Sequence, residues 1–274
     1  MSNDMEVLAD AVRKRKAILF VGAGVSISVG LPSWDFLIEH MIESLDLSPE
    51  EVEDNSISHQ TLAEYYMVRM GGIGPLRSWM DREWKVSEES VQASRVHQLI
   101  VELDFPRIYT TNYDRNLEIA YKCQNKPYHR IANARDFAAA PDEVTQIVKF
   151  HGDFDDDDSM VLAEADYFRR LAFDSPLDTK FHADALGHTL LFIGYSMTDI
   201  NIRLLLHRVW QAWIESGQER DRPRSFVFMP RPNRIQETVL NRWGITLLTG
   251  SHGDPEEALV DFLSQVLEVR NTAD

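Results

Sequence analysis

The chain has 274 residues, 44% of them hydrophobic, which is enough to bury one large α/β core or a core carrying an insertion. Lys and Arg number 28 against 44 Asp and Glu, a formal net charge of −16, so the general surface repels phosphate backbones and anionic membranes. The expectation is no direct nucleic-acid partner and no membrane partner. A small anionic ligand remains compatible, because backbone amides oppose the global charge locally. A single cysteine, Cys123, rules out an internal disulfide and a multi-cysteine zinc site. It fits a reducing, cytoplasmic setting and reads as a helix packing residue.

In chain order, residues 5–16 read as an amphipathic helix, and the start of the chain lacks the apolar run of a secretory signal. "AILFV" at 17–21 reads as a short, fully buried strand that ends in Gly22-Ala23-Gly24. Residues 17–34 carry no charge, yet their three Gly, three Ser and one Pro argue against a membrane span. Ser33 is placed to cap the helix "WDFLIEHMIESL". Residues 46–104 read as mostly helical, and about 36–104 is expected to form a helical insertion within a single domain of 1–274. Short apolar runs then alternate with helical patterns: "RIYTT" before "DRNLEIAYKC", "TQIVKF", "TLLFIGY" before "DINIRLLLHRVWQAW", "SFVFM" before "NRIQETVLNRW", and "ITLLT" before "PEEALVDFLSQVLEV". This alternation predicts an α/β fold, a doubly wound parallel sheet covered on both faces. "RNTAD" reads as a frayed tail.

The Gly-Ala-Gly loop after the first strand suits phosphate binding, because glycines let the backbone approach a pyrophosphate. The full dinucleotide fingerprint fails at Ile27, where a glycine is needed; the next is Gly30. Gly-Lys-Ser/Thr is missing too, which excludes a P-loop. Ligands of doubly wound sheets sit at the carboxyl ends of the strands. Four strands deliver glycine or polar residues there: "GAGVS"; Thr111, Asn112 and Asp114; His151; and Ser196 with Asp199. Singly, Asn112 reads as a turn former, His151 as a buried histidine and Asp199 as a helix cap. Four together predict a shared pocket.

"GAGVS…GLPSW", "TTNYD", "KFHGD" and "FIGYSMTD", in that order, resemble the NAD-binding core of the sirtuin superfamily, over about residues 17–205. They resemble most closely its bacterial sirtuin-like branch found in anti-phage defence proteins. The resemblance implies a Rossmann-like core with NAD as substrate. It implies that Gly22, Ala23, Gly24 and Ser26 contact the pyrophosphate, and that Asn112 and Asp114, beside Thr111, fall at the nicotinamide ribose. His151 falls on the catalytic histidine, and Gly194 and Ser196 on the loop holding the adenosine end, with Asp199 following. Two features depart from the family. The four zinc cysteines of protein-deacylating sirtuins are missing, so no zinc is expected, and Ser33-Trp34-Asp35 replaces Asp-Phe-Arg. Trp34 is expected to lid the nicotinamide.

The function so implied is NAD glycohydrolysis by a defence effector that depletes NAD. Asn112 would hold the ribose hydroxyls or the attacking water, His151 would be general base on a ribose hydroxyl or water, and Asp114 would orient the ribose or the nicotinamide amide. A toxic activity of this kind implies control by homo-oligomerisation or by a regulatory partner such as an ATPase or sensor. The alternatives are a non-catalytic NAD- or ADP-ribose-sensing subunit and a protein deacylase or ADP-ribosyltransferase. The run "DFDDDDS" at 153–159 lacks the spacing of a calcium loop and reads as a solvated turn, balanced in part by Arg169 and Arg170. His97, His182, His188 and His207 do not pair at metal-ligand spacing.

Overall fold

The computed structural model describes residues 3–52, 57–141, 143–250 and 253–272. Helix α1 (Asn3–Arg13) leads into β1 (Ala17–Val21), and the Gly-Ala-Gly loop opens directly into a short α2 (Ala23–Ile27). Then come α3 (Trp34–Ser44), α4 (Pro49–Val52), α5 (His59–Met70), α6 (Gly74–Glu83), α7 (Glu88–Ala93) and α8 (Arg95–Glu102). β2 (Arg107–Thr110), α9 (Asn116–Cys123), β3 (Tyr128–Ile131), α10 (Ala134–Ala139) and β4 (Thr145–Lys149) follow. The remainder is α11 (Glu164–Arg170), α12 (Pro176–Gly187), β5 (Thr189–Ile193), α13 (Ile200–Glu215), β6 (Ser225–Phe228), α14 (Arg234–Arg242), β7 (Ile245–Leu248) and α15 (Pro255–Thr272). Arg270–Thr272 of the expected tail thus continue α15, and 273–274 lie outside the described residues.

The seven strands form one sheet in the order β3-β4-β2-β1-β5-β6-β7, and every pairing is parallel. The fold is therefore the predicted doubly wound α/β architecture. Alternate residues of each strand feed two cores, which is why β1 is apolar throughout. Leu19, Val21, Ile108, Leu191 and Ile193 meet α1, α8, α9 and α15 on one face. Ile18, Phe20, Tyr109, Phe192 and Val227 meet α12, α13 and α14 on the other. Phe20 is the aromatic hub of that second core. Its ring lies 5.0 Å from Phe192, 5.4 Å from Tyr195 and 6.1 Å from Phe150, so the packing runs straight to the carboxyl ends of β5 and β4. Burial of one such side chain contributes about 1.5–3 kcal/mol.

The 36–104 region, expected as one insertion, divides between two environments. Leu37, Ile38, Met41, Leu62, Tyr66, Leu76 and Met80 of α3, α5 and α6 build a third core with Tyr113, Met160 and Leu162. Val91, Val96, Leu99 and Ile100 of α7 and α8 instead join the first core under the sheet. Ser33 caps α3 as expected, its hydroxyl accepting from the Phe36 amide. β3 was not anticipated from the sequence. It is a four-residue edge strand, "YHRI", with three half-buried positions and only Ile131 buried, so it lacks an apolar pattern. Among the described residues no helix is long and apolar enough to cross a membrane.

Candidate functional site

β1 pairs with β2 on one side and β5 on the other, so the chain winds outward in both directions from it. The carboxyl ends of β1 and β5 therefore flank the topological switch point, where open α/β sheets take ligands. Two glycine loops meet there. The Gly22 amide donates to the Ile193 carbonyl at 3.0 Å, and the Gly24 amide donates to the Gly194 carbonyl at 2.9 Å. A Cβ on Gly24 would stand 2.9 Å from Gly194 Cα, and one on Gly194 would stand 2.7 Å from the Val25 nitrogen. Gly194 also has φ of +59°, which disfavours any other residue. The glycines thus serve first to dock loop on loop. Beside them opens a cleft of about 580 Å³, lined by Gly24, Ile27, Gly194, Ser196, Met229 and Arg231 among others; of the residues expected to share one pocket, Asn112, Asp114, His151 and Asp199 do not line it. Ser196 is exposed at its mouth, its hydroxyl 2.8 Å from that of Thr198. A smaller cavity of about 240 Å³ lies away from the strand ends, beside Gln98 and the half-buried Cys123.

Sheet register aligns the next residues. Val21 pairs with Thr110 and with Ile193, and Thr110 pairs with Lys149. Ala23, Asn112, His151 and Tyr195 therefore each stand two residues beyond a row of paired positions. Asn112 is held by a chain of hydrogen bonds. The Thr110 hydroxyl donates to the Val21 carbonyl at 3.0 Å and accepts from the Asn112 amide at 3.0 Å. Asn112 Nδ2 donates to the Gly22 carbonyl at 3.1 Å and to Ser26 Oγ at 3.0 Å. A carbonyl only accepts, which sets the amide's orientation. Both amide hydrogens are then used within the protein. Ser26 is buried and turns inward, donating to Asp114 Oδ2 at 2.7 Å. Asp114, also buried, accepts the Asn116 amide at 2.9 Å through its other oxygen. These contacts occupy Ser26 and Asp114 within the protein, where the sequence suggested ligand contact. Thr111 is half-buried on the same loop.

His151 is arranged differently. It is 3% exposed, stacked on Phe150 with ring centres 6.0 Å apart, and met edge-on by Tyr167 at 5.7 Å. Its Nε2 has no hydrogen-bond partner among the described residues and stands 3.5 Å from Asp199 Oδ2. Burial pushes its pKa down to about 4, against an opposing pull from the Asp199 charge. The imidazole is accordingly neutral at physiological pH. Asp199 has two tasks: Oδ1 caps α13 by accepting from the Asn201 and Ile202 amides at 2.8 and 3.2 Å, while Oδ2 faces the imidazole. Burial and the same carboxylate hold the Tyr167 and Tyr195 hydroxyls protonated. Neither tyrosine is singled out by the sequence, because their approach to Asp199 is a product of the fold.

Trp34 opens α3, half-buried against the third core. The acidic run is partly buried, and its partners differ from those expected. Asp153 is fully buried and pairs with Arg130 at 3.0 Å, Asp155 pairs with Arg115 and Arg130, and Asp157 pairs with Arg77 at 3.2 Å. Arg169 and Arg170 turn instead to Asp166 and Asp178. Among the described residues no group of three or more His, Cys, Asp or Glu side chains is placed to hold a metal ion.

The chain is similar over most of its length to bacterial proteins. It is 29% identical over 225 residues to the NAD(+) hydrolase ThsA of Bacillus cereus strain MSX-D12, covering 81% of this chain and 45% of that protein. It is 30% identical over 223 residues to the NAD(+) hydrolase ThsA of Enterococcus faecium, covering 77% and 43%. It is 27% identical over 242 residues to Defense-associated sirtuin 2 of Bacillus subtilis, covering 85% and 22%. The chain thus spans less than half the length of each of these relatives. The family model of the SIR2-like domain matches residues 106–248, from the start of β2 to the end of β7, and so takes in Asn112, His151, Gly194 and Asp199. That match covers more than half of the chain, and with it the chain belongs to the SIR2-like domain family.

Proposed function

We propose that the chain cleaves NAD at the bond between nicotinamide and ribose, with water as acceptor, releasing nicotinamide, ADP-ribose and a proton. The observation that carries this reading is the placing of Asn112 and a buried, neutral His151 just past the ends of adjacent parallel strands, with Asn112 bonded to the Gly22–Ser26 loop that borders the cleft at the switch point. Relatives that carry the name NAD(+) hydrolase support it.

Nicotinamide is a neutral leaving group, so its departure needs no acid. What the protein must supply is a held ribose, exclusion of bulk water and a base for one nucleophile. In this reading the cleft beside Gly24 and Gly194 takes the adenosine and pyrophosphate. The Asn112 carbonyl accepts from a ribose hydroxyl or from the attacking water. His151 Nε2, neutral and unpartnered, accepts the proton, and Asp199 stabilises the imidazolium that results. Ser26 and Asp114 act by holding Asn112, Trp34 covers the nicotinamide, and Ser196 lies at the adenosine end. No zinc enters this scheme.

The biological setting in this reading is a cytoplasmic defence effector that depletes NAD. An enzyme that destroys a central cofactor needs restraint, which assigns control to self-assembly or to a regulatory partner protein. Incubation with NAD, with nicotinamide and ADP-ribose resolved by chromatography and His151→Ala as control, tests the proposal. Equimolar release that depends on His151 is the expected result. NAD binding without release would replace the hydrolase by a sensing subunit, and acylated ADP-ribose or a labelled protein would replace it by a protein-modifying enzyme.

A further inference from the structure

Lys149 ends β4 as the one charged residue of "TQIVKF", and it is fully buried. Its Nζ donates to the main-chain carbonyl of Asp114 and lies 3.6 Å from Glu118 Oε1. Glu118 is itself 4% exposed, and its carboxylate oxygens have no hydrogen-bond partner among the described residues. Burial raises the proton affinity of Glu118, and Lys149 opposes that shift. Buried Asp114 and Asp153 flank the same space. A buried ion pair gives no general advantage in stability over apolar side chains of the same volume. The charge at this position therefore calls for another role.

Its position suggests one. The backbone of Lys149 belongs to the strand that presents His151 two residues later. Its ammonium grips the loop that presents Asn112, at the carbonyl two residues past that side chain. Four carbons and a cation span the gap between two loops that must keep a set separation. We propose that Lys149 is a positioning residue, an internal cation that clamps the 111–115 loop to the end of β4 and so sets Asn112 relative to His151. The catalytic consequence rests on the hydrolase reading; the mechanical one does not.

Two measurements separate them. Lys149→Met alone strands the Glu118 carboxylate, so the test uses Lys149→Met/Glu118→Gln, which neutralises both partners, with exposed Lys122→Met as control. A displacement of about 1 Å between reacting groups costs on the order of a hundredfold in rate. The double variant should therefore unfold cooperatively, lose about a hundredfold in kcat for NAD cleavage and keep KM within about threefold. Amide hydrogen exchange at 111–116 and 150–153 should rise together by about tenfold, while that of β1 and β5 stays unchanged. A folded double variant with kcat near wild type, or with unaltered exchange in both loops, overturns the clamp. If the wild-type chain does not cleave NAD, the hydrolase reading fails and the exchange data still decide the clamp.

Discussion

The two polar clusters at the strand ends are built on opposite principles. Around Asn112 nearly every donor has an acceptor: Thr110, Gly22, Ser26 and Asp114 form one continuous chain of hydrogen bonds. Around His151 stand two aromatic rings and one carboxylate, and Nε2, 3.5 Å from Asp199 Oδ2, has no hydrogen-bond partner among the described residues. A saturated network resists movement, because every displacement breaks a bond in a place that water does not readily refill. An unsatisfied buried nitrogen stores binding capacity for a ligand, at a cost to the folded state. In the proposed reading the first cluster holds Asn112 rigidly in place, and the second supplies the group that takes the proton.

Removal of the His151 imidazole tests this contrast most directly. His151→Ala should lower NAD cleavage by about 10²–10⁴ while circular dichroism and cooperative unfolding remain. A variant that keeps full turnover removes His151 from the mechanism. Asn112→Ala should fall by about 10² in kcat/KM and also lose about 1–2 kcal/mol, because the Gly22 carbonyl and Ser26 lose their donor. Activity loss without any stability loss would mean that the network is not the scaffold described here. Gly194→Ala tests the loop contact that supports both clusters. Its left-handed φ and the approach to Val25 predict a loss of about 1–3 kcal/mol by denaturant titration.

Smaller effects sharpen the picture. Asparagine still caps a helix, so Asp199→Asn should stay within about 1 kcal/mol of wild-type stability. It removes the charge facing His151, and kcat should fall by about tenfold. Equal losses in stability and activity would show that Asp199 serves only α13. The last test is pH. His151 and the buried His97 both have pKa values near 4 in place of the usual 6.5, burial being the main cause. Between pH 6.5 and 4 the folded chain binds fewer protons than the unfolded one. Stability is therefore full above pH 6.5 and falls on acidification toward pH 4. NAD cleavage should meanwhile stay level from about pH 8 down to 6, because His151 is already neutral there. A rate that rolls off near 6.5 would show an exposed, ordinary imidazole.

Much of the site was legible along the chain. Glycine and polar residues directly follow short apolar strands, and both the strand pattern and the punctuation are local. "GAG", "TNYD", "HGD" and "GYSMTD" therefore map to one edge of a parallel sheet from the sequence alone. The edge strand at Tyr128–Ile131 was not legible, since an edge needs little apolar surface. Nor were the partners of the acidic run: Arg77 comes from α6, Arg115 from the residue before α9 and Arg130 from β3, whereas Arg169 and Arg170 are merely near in sequence. Lys149 was visible as a charge inside an apolar strand, a signal whose meaning depended on where its ammonium would land.

The parallel α/β alternation, the glycine turn after β1 and the identity of the groups delivered to the strand ends are written locally in the chain, because periodicity and turn chemistry act over a few residues. Which of those groups bond to each other, and which do not, is set by the tertiary fold. Ser26 meets Asp114 across 88 positions and His151 meets Asp199 across the sheet. Such pairings follow from strand order and register, which are set by burying both faces of the whole sheet at once.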